Sequence, residues 1–170
     1  CAAPGGKTIL ASEFAGDRGQ VLSRDISEYK TDLIRENLNR MQRKNVEVEV
    51  YDATVHDASK EESADVVLMD VPCSGLGVMG KKRDIKYHVT PESLRSITEL
   101  QKKIVEAGWQ YVKPGGVLLY STCTIHRQEN SQMAAWICEH FPFVLEEERQ
   151  LLPGTDETDG FYFARLRRKA

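Results

Sequence analysis

Residues 1–25, CAAPGGKTILASEFAGDRGQVLSRD, decide the fold class of this chain. Gly5-Gly6 form a glycine-rich loop that opens a helix reaching about Phe14, and a turn of glycines and charged residues follows. Gln20–Arg24 then has the length and composition of a strand, which ends at Asp25. This order of loop, helix and strand is typical of a parallel α/β sheet.

The rest of the sequence continues the alternation of helices and strands. The predicted helices are Ser27–Met41, Pro91–Tyr111 and Glu129–His140, and the predicted strands are Val46–Tyr51, Asp65–Met69, Val117–Ser121, Phe143–Glu147 and Phe161–Leu166. The last two strands are expected to pair antiparallel at the sheet edge. We expect a long charged loop over residues 71–89, and we expect the Lys-Pro-Gly-Gly run at 113–116 to separate a helix from a strand.

A strand normally leads into a glycine-rich loop at the start of a doubly wound sheet. The sequence opens inside that loop, so we expect the first strand to lie upstream of Cys1. In the second predicted helix of the chain, Tyr29, Leu33, Leu38 and Met41 have the spacing of one buried face.

Composition indicates one globular domain. The chain has 170 residues, 41% of them hydrophobic and 29% charged, and it contains no apolar run of membrane-spanning length. The net charge of −3 does not by itself indicate nucleic-acid binding. Four cations do cluster in the predicted loop, and such a run serves either as a phosphate-binding surface or simply as solvated loop charge. These cations are Lys81, Lys82, Arg83 and Lys86.

Cysteine usage indicates a reducing compartment. The four cysteines are widely spaced and form no C-x-x-C pair, which argues against a zinc site and against a disulfide framework. We therefore expect free thiols, no metal and a cytoplasmic location. The oligomeric state is left open by the sequence.

Three acidic residues close three successive predicted strands: Asp25, Asp52 and Asp70. Ligands of open α/β sheets bind at the carboxyl ends of the strands, and a carboxylate there can accept the ribose hydroxyls of a nucleoside. Each aspartate can equally cap the following turn. Their common position behind a glycine-rich loop favours a nucleoside cofactor.

The opening loop is not a phosphate-binding loop of the nucleotide hydrolases. The pattern G-x-x-x-x-G-K-[ST] would end at Gly6-Lys7-Thr8, but Cys1 occupies the position of its first glycine. Two cysteines also follow strand ends, Cys73 in DVPCSG and Cys123 in STCT. A cysteine is usually a small buried hydrophobe, as we expect for Cys138 on a helix, but loops at strand ends are where functional residues gather.

Taken in order, CAAPGGKT, the acidic strand ends, DVPCSG, STCT and DGFYFA resemble the motif set of the RNA (cytosine-5)-methyltransferases. The resemblance covers Cys1 to about Phe163 and is closest to the bacterial RsmB/Sun type, with the RsmF and Nop2/NSUN proteins as relatives. It implies a Rossmann-like class I S-adenosylmethionine-dependent methyltransferase fold, with a mostly parallel sheet, an antiparallel edge strand and no first strand in residues 1–170. It also implies that this is the catalytic domain, C-terminal in a longer protein whose N-terminal RNA-binding region is absent.

The resemblance also implies a role for each motif. Cys123 is the nucleophile that attacks C6 of cytosine, Cys73 acts in product release, and Asp70 binds the N3/N4 edge of the base. The cofactor, S-adenosylmethionine, is held by Cys1, Ala2, Ala3, Pro4, Gly5, Gly6, Lys7, Asp25, Asp52 and Asp70. Substrate contacts fall to Pro72, Lys81, Lys82, Arg83 and Lys86.

Covalent catalysis explains why a thiol is needed, since addition at C6 makes C5 nucleophilic. Cys123 must ionise to attack, and its pKa would have to fall below the ordinary value. We expect the sulfonium of the cofactor and Lys7 to be the causes. The predicted partner is RNA, with small-subunit rRNA as the substrate. Transfer RNA is an alternative, and so is a catalytically silent RNA- or protein-binding module, which the presence of Cys123 and Asp70 disfavours.

Overall fold

The computed structural model describes residues 1–170 and divides them into two compact units, residues 1–55 and residues 56–170. The first unit contains α1 (Gly6–Ala15), β1 (Val21–Asp25), α2 (Glu28–Arg40) and β2 (Val46–Val50). The second contains β3 (Ala64–Asp70), α3 (Ile85–His88), α4 (Pro91–Gly108), β4 (Val112–Thr122), α5 (Ser131–His140), β5 (Phe143–Leu151) and β6 (Phe161–Arg168). None of these helices is long and apolar enough to cross a membrane.

In the first unit, β1 and β2 form a parallel pair, with Val21 opposite Val46 and Asp25 opposite Val50. A parallel pair requires a crossover connection, and α2 provides it. Its buried residues are Thr31, Ile34 and Leu38, whose spacing forms one stripe on the helix.

That stripe corrects the predicted face of α2. Tyr29 is 74% exposed and Met41 is 42% exposed. Met41 follows the helix as its C-cap, and Tyr29 lies in its first turn. Leu38 is buried as predicted, but the prediction was wrong for Tyr29 and Met41, because apolar spacing alone cannot tell which of two adjacent stripes meets the sheet. The buried Thr31 satisfies its hydroxyl by donating to the carbonyl oxygen of Glu28 at 2.9 Å.

In the second unit, the strands lie in the order β3-β4-β6-β5. The β3–β4 pair is parallel, and β6 is antiparallel to both β4 and β5. The expected antiparallel pair at the sheet edge is therefore confirmed. The core lies along the two inner strands and α5, where each fully buried large side chain contributes about 1.5–3 kcal/mol. Its members include Leu118, Tyr120, Met133, Ile137, Ala164 and Leu166.

Two predictions about the connections were wrong. The Lys-Pro-Gly-Gly run lies inside β4, because Val112 already pairs with Ala64 and the register resumes at Val117 opposite Val66. The extra residues form an irregularity in which Gly115 has a φ of 74°, a conformation that glycine adopts without strain. Residues 71–89 are not wholly a loop either, since they contain a 3₁₀ turn at Leu76–Val78 and the short helix α3.

The start of α4 is confirmed as predicted. The Thr90 hydroxyl accepts a hydrogen bond from the backbone N–H of Ser93, the Ser93 hydroxyl accepts one from the backbone N–H of Thr90, and Pro91 occupies the first turn. This capping box satisfies two N–H groups that would otherwise lack partners. It fixes where α4 begins, directly after the segment that follows β3.

Candidate active site

Cys73 and Cys123 meet at one edge of the sheet in the second unit. Cys73 lies in the loop after β3, and Cys123 directly follows β4. Because β3 and β4 are parallel neighbours, both loops leave the sheet at the same edge. The two Sγ atoms are 3.1 Å apart, both thiols are free, and both side chains are half-buried. The sequence prediction that the two thiols share one site is confirmed for their positions.

The contact between the two sulfurs shifts the pKa values of the two thiols in opposite directions. Hydrogen bonding from Cys73 lowers the pKa of Cys123 from 9.0 to about 7, against the opposing effects of burial and of the Asp70 charge. The same hydrogen bond, together with burial, raises the pKa of Cys73 far above its ordinary value. Cys73 therefore keeps its proton, while Cys123 ionises near neutral pH. This is the state a nucleophilic cysteine requires.

The cause of the low pKa was not visible in the sequence. The expected causes were the sulfonium of the cofactor and Lys7. In the structure the main cause is Cys73, and Lys82 is the cation that also lowers the pKa of Cys123. A hydrogen bond between side chains 50 positions apart leaves no local pattern in a sequence.

Asp70 and Pro72 complete the β3 side of this site. Asp70 is the last residue of β3, lies opposite Ser121 in the register, and accepts a hydrogen bond from its hydroxyl at 2.8 Å. Pro72 is exposed, and its carbonyl oxygen accepts a hydrogen bond from Nε2 of Gln101 at 2.9 Å. The site thus presents a carboxylate and two thiols on adjacent strand ends.

Two residues that the sequence analysis passed over fasten these loops. Glu129 was expected to begin a helix, but α5 begins at Ser131, and Glu129 is 0% exposed in the turn before it. Its carboxylate accepts hydrogen bonds from both the backbone N–H and the hydroxyl of Ser74, at 2.8 and 2.6 Å. Asn130 donates from Nδ2 to the carbonyl oxygen of Thr124 at 2.9 Å. Both residues lie in the polar run HRQENSQ at 126–132, so no local pattern signalled their burial.

Gly160 of the DGFYFA motif connects to the Cys123 loop through backbone hydrogen bonds. The backbone N–H of Gly160 donates to the carbonyl oxygen of Gly77 at 2.8 Å, and the N–H of Gly77 donates to the carbonyl of Cys123 at 3.1 Å. A Cβ atom on Gly77 would lie 2.1 Å from the carbonyl oxygen of Gly160. The three backbones can approach this closely only because glycine has no side chain.

The basic cluster is an exposed surface on and before α3. Lys82, Arg83 and Lys86 are exposed, and Nζ of Lys86 lies 4.8 Å from the ring centre of Tyr87. Lys81 is also exposed but forms an ion pair with Asp159, with an Nζ–Oδ2 distance of 2.6 Å. That ion pair competes with any phosphate for the ammonium group of Lys81.

In the first unit, the predicted cofactor loop has the shape that a close ligand requires. Gly5 is the N-cap of α1, with a φ of 107°, and it provides no side-chain cap. A Cβ on Gly5 would contact Ile34 at 3.3 Å, whereas a Cβ on Gly6 would have nothing within 4 Å. The backbone at Gly6 is thus open, and Gly5, as the N-cap residue, has no side chain that would cover it.

Asp25 is a buried carboxylate whose charge is stabilised by backbone donors. Burial raises its pKa, but hydrogen bonds from the N–H groups of Ala3 and Ile26, at 2.9 and 2.8 Å, outweigh burial and lower the pKa below 3.8. Nζ of Lys30, which is half-exposed, lies 3.4 Å from Oδ1. An ionised carboxylate has about four acceptor positions, so it can also accept from ribose hydroxyls. The residues present therefore fit a nucleoside cofactor.

Asp52 behaves as a turn residue in the structure. It is exposed, and its Oδ1 accepts hydrogen bonds from both the N–H and the hydroxyl of Thr54, at 2.9 and 2.7 Å. Those bonds lower its pKa below 3.8. The turn holds the carboxylate just after β2, at a position where the family resemblance implies a cofactor contact.

Comparison with solved structures defines the class of protein. NSun6 from Pyrococcus horikoshii, determined with the S-adenosylmethionine analogue SFG, superposes with a TM-score of 0.87 at 27% identity, covering 100% of this chain and 47% of that one. A methyltransferase homologue from the same organism gives a TM-score of 0.81 at 27% identity, covering 98% of this chain and 59% of that one. The fold is the Rossmann-like fold of the S-adenosylmethionine-dependent methyltransferases.

Sequence comparison narrows the class to a family. The sequence model of the 16S rRNA methyltransferase RsmB/F family matches residues 1–167, and the chain belongs to that family. It is 36% identical over 188 residues to the probable ribosomal RNA small subunit methyltransferase B of Bacillus subtilis, covering 99% of this chain and 42% of that protein. It is 32% identical over 185 residues to the ribosomal RNA small subunit methyltransferase F of Escherichia fergusonii, covering 98% of this chain and 39% of that protein. The chain spans about two-fifths of the length of these relatives, and its cofactor is S-adenosylmethionine.

Proposed function

We propose that this chain is the catalytic domain of an RNA (cytosine-5)-methyltransferase that acts on small-subunit rRNA. The observation that carries the proposal is the 3.1 Å contact between Sγ of Cys73 and Sγ of Cys123, with the pKa of Cys123 lowered to about 7. Methylation of C5 through an adduct at C6 needs one ionised thiol that attacks C6 and a second group that later removes the proton from C5. Membership in the RsmB/F family supports the rRNA substrate.

The first step is addition of the Cys123 thiolate to C6 of the cytosine. It forms an S–C6 bond and moves electron density to C5 and to the N3 edge of the ring. Asp70, at the end of β3, accepts a hydrogen bond from the exocyclic amino group and so holds the N3/N4 edge of the ring in place during the attack. The cofactor supplies an electrophilic methyl group, which C5 can take only while the adduct exists.

The second step reverses the adduct and explains the second thiol. Once Cys123 is bonded to C6 it carries no charge, so the interaction that raised the pKa of Cys73 disappears. Cys73 can then lose its proton to water and remove the proton from C5. The C5–H electron pair restores the ring double bond and expels Cys123 as a thiolate. Without Cys73 the adduct should persist.

The RNA must present an unstacked cytosine, which costs a few kcal/mol and costs least where the base is already single-stranded. Lys82, Arg83 and Lys86 extend from an exposed surface and are the proposed phosphate contacts, with Pro72 shaping the turn under the base. Lys81 joins them only if phosphate displaces Asp159. We further propose a cytoplasmic location, which the four free thiols support.

The test is methyl transfer from labelled S-adenosylmethionine with the full-length protein that contains this chain. Wild type should label C5 of cytosine in unmodified small-subunit rRNA. Cys123→Ala should give no label, and Cys73→Ala should give a protein–RNA adduct that survives denaturation. Cys138→Ala is the matched control, since Cys138 is a half-buried cysteine on α5, and it should retain activity.

Each alternative gives a different pattern. Label on transfer RNA alone would retain the chemistry and change the substrate. Cofactor binding without transfer to any RNA would favour a silent binding module. Full activity in Cys123→Ala would refute the covalent mechanism.

A further inference from the structure

Glu129 is a buried carboxylate for which neither the sequence motifs nor the proposed reaction gives a role. Its side chain is 0% exposed. Glutamate is almost never fully buried unless it is paired. The basic group beside the Glu129 carboxylate is the imidazole of His126, whose Nδ1 lies 3.5 Å from Oε1 of Glu129. No lysine or arginine forms a salt bridge with it, so its burial must be offset by hydrogen bonds.

Those hydrogen bonds go to the loop that carries Cys73. Oε2 accepts from the backbone N–H of Ser74 at 2.8 Å, and Oε1 accepts from the Ser74 hydroxyl at 2.6 Å. Oε2 also accepts from Nε2 of Gln101 at 3.1 Å. Nε2 of Gln101 donates in turn to the carbonyl oxygen of Pro72 at 2.9 Å. The residues before and after Cys73 are thus both tied, directly or through one amide, to a single carboxylate.

A second connection reaches the loop that carries Cys123. The hydroxyl oxygens of Ser74 and Thr124 lie 2.8 Å apart, and Thr124 is 0% exposed. The Thr124 hydroxyl also lies 3.5 Å from Oε1 of Glu129. Thr124 directly follows Cys123, as Ser74 directly follows Cys73. One carboxylate therefore links the residues that follow the two thiols.

We infer that Glu129 is a positioning residue that holds the Sγ atoms of Cys73 and Cys123 at hydrogen-bonding distance. Hydrogen bonds to an ionised acceptor are stronger and shorter than neutral ones, which suits a group that must fix two loops at once. A role in folding alone would be served as well by an apolar side chain of similar volume, without the cost of burying a charge.

The sign of the expected effect separates positioning from simple electrostatics. If Glu129 acted only as a nearby negative charge, its removal would favour the Cys123 thiolate and lower the pKa of that thiol. If Glu129 positions the two sulfurs, its removal lets them separate. The hydrogen bond from Cys73 is then lost, and the pKa of Cys123 rises.

The measurement is the pH dependence of Cys123 alkylation by iodoacetamide, followed by mass spectrometry of the peptide that contains Cys123. The importance of Glu129 for the reaction rests on the proposed role of Cys123 as the nucleophile. The alkylation assay uses no RNA, so it tests the geometry of the two thiols independently of that role. Glu129→Ala should move the midpoint upward by about one pH unit or more, which is about a tenfold loss of thiolate below the midpoint. Glu129→Gln should stay near wild type, because its amide can accept from the Ser74 N–H and donate to the Ser74 hydroxyl.

Met133→Ala is the matched control for loss of stability. Met133 is 1% exposed on α5, and its truncation weakens the core without removing a hydrogen bond from either thiol loop. It should leave the midpoint unchanged. An unchanged or lowered midpoint in folded Glu129→Ala would overturn the inference, and so would a rise in Glu129→Gln as large as that in Glu129→Ala.

If Glu129→Ala does not fold, Ser74→Ala decides the question. It removes the hydroxyl that connects Glu129 to Thr124 but keeps the backbone N–H bond. A smaller upward shift is expected, and no shift would overturn the inference. Methyl-transfer activity is measured separately, so a failed substrate assignment would leave this result intact.

Discussion

Replacing Cys73 by alanine should raise the pKa of Cys123 and slow its reactions at neutral pH. The S–H group that is removed lies 3.1 Å from the Cys123 sulfur and is the main cause that lowers its pKa from 9.0 to about 7. Without it the pKa should rise to 9.0 or above, since burial and the Asp70 charge both raise it. The thiolate fraction at pH 7 would then fall from about one half to about one per cent, a loss of about 50-fold.

The rate should fall less than the thiolate population, because a thiolate becomes more nucleophilic as its pKa rises. A Brønsted slope of about 0.4 over a rise of about two pH units corresponds to about sixfold higher nucleophilicity. The net loss at pH 7 is then about eightfold, while at pH 9 the variant should react about threefold faster. The two pH profiles should therefore cross at about pH 8.

The assay is iodoacetamide alkylation of Cys123 across the neutral and alkaline range, with the modified peptide quantified by mass spectrometry. Cys73→Ser is the matched control, since a serine hydroxyl retains a hydrogen-bond donor and should hold the midpoint closer to that of wild type. Cys138→Ala should not move it. Profiles of Cys73→Ala and wild type that coincide over the whole range would refute the assignment of the low pKa to the thiol pair.

Two further predictions concern Gly77 and Asp25. Gly77→Ala should reduce the free energy of unfolding by about 1–3 kcal/mol or more in a denaturant titration, since its Cβ would lie 2.1 Å from the Gly160 carbonyl oxygen. Gly80→Ala is the control, because its Cβ would have nothing within 4 Å, and it should change the free energy of unfolding by less than about 1 kcal/mol. Equal effects of the two substitutions would contradict the packing argument. Asp25→Asn should weaken S-adenosylmethionine binding in calorimetry and reduce stability by about 1–3 kcal/mol, because an amide nitrogen would replace an acceptor of a backbone N–H. Since the pKa of Asp25 is lowered below 3.8, this stability difference should be present at neutral pH and shrink as pH falls below 3.8, and a difference that grows in acid would contradict the assignment.

Local chemistry accounts for the parts of the fold that were predicted well. Thr90 and Pro91 begin α4 as expected, because a capping box and an N-terminal proline act within one helical turn. The paired strands β5 and β6 were also expected, since alternation and turn residues specify a hairpin-like pair. The predictions were wrong where contacts between residues far apart in the sequence determine the structure. β4 begins at Val112 because Val112 pairs with Ala64, and the buried stripe of α2 depends on which side of the helix meets the sheet.

The sequence by itself determined the family, the α/β fold and the set of candidate site residues. Short ordered motifs place Asp70, Cys73 and Cys123 at strand ends, and parallel strands bring such ends to one edge. Only the tertiary structure decided that the two thiols lie within hydrogen-bonding distance, that Lys81 is paired with Asp159, and that Glu129 joins both cysteine loops. Ser74 and Glu129 are 55 positions apart in the sequence. Periodicity and capping act over a few residues, whereas contacts of this range are selected by packing of the whole unit, which no local pattern records.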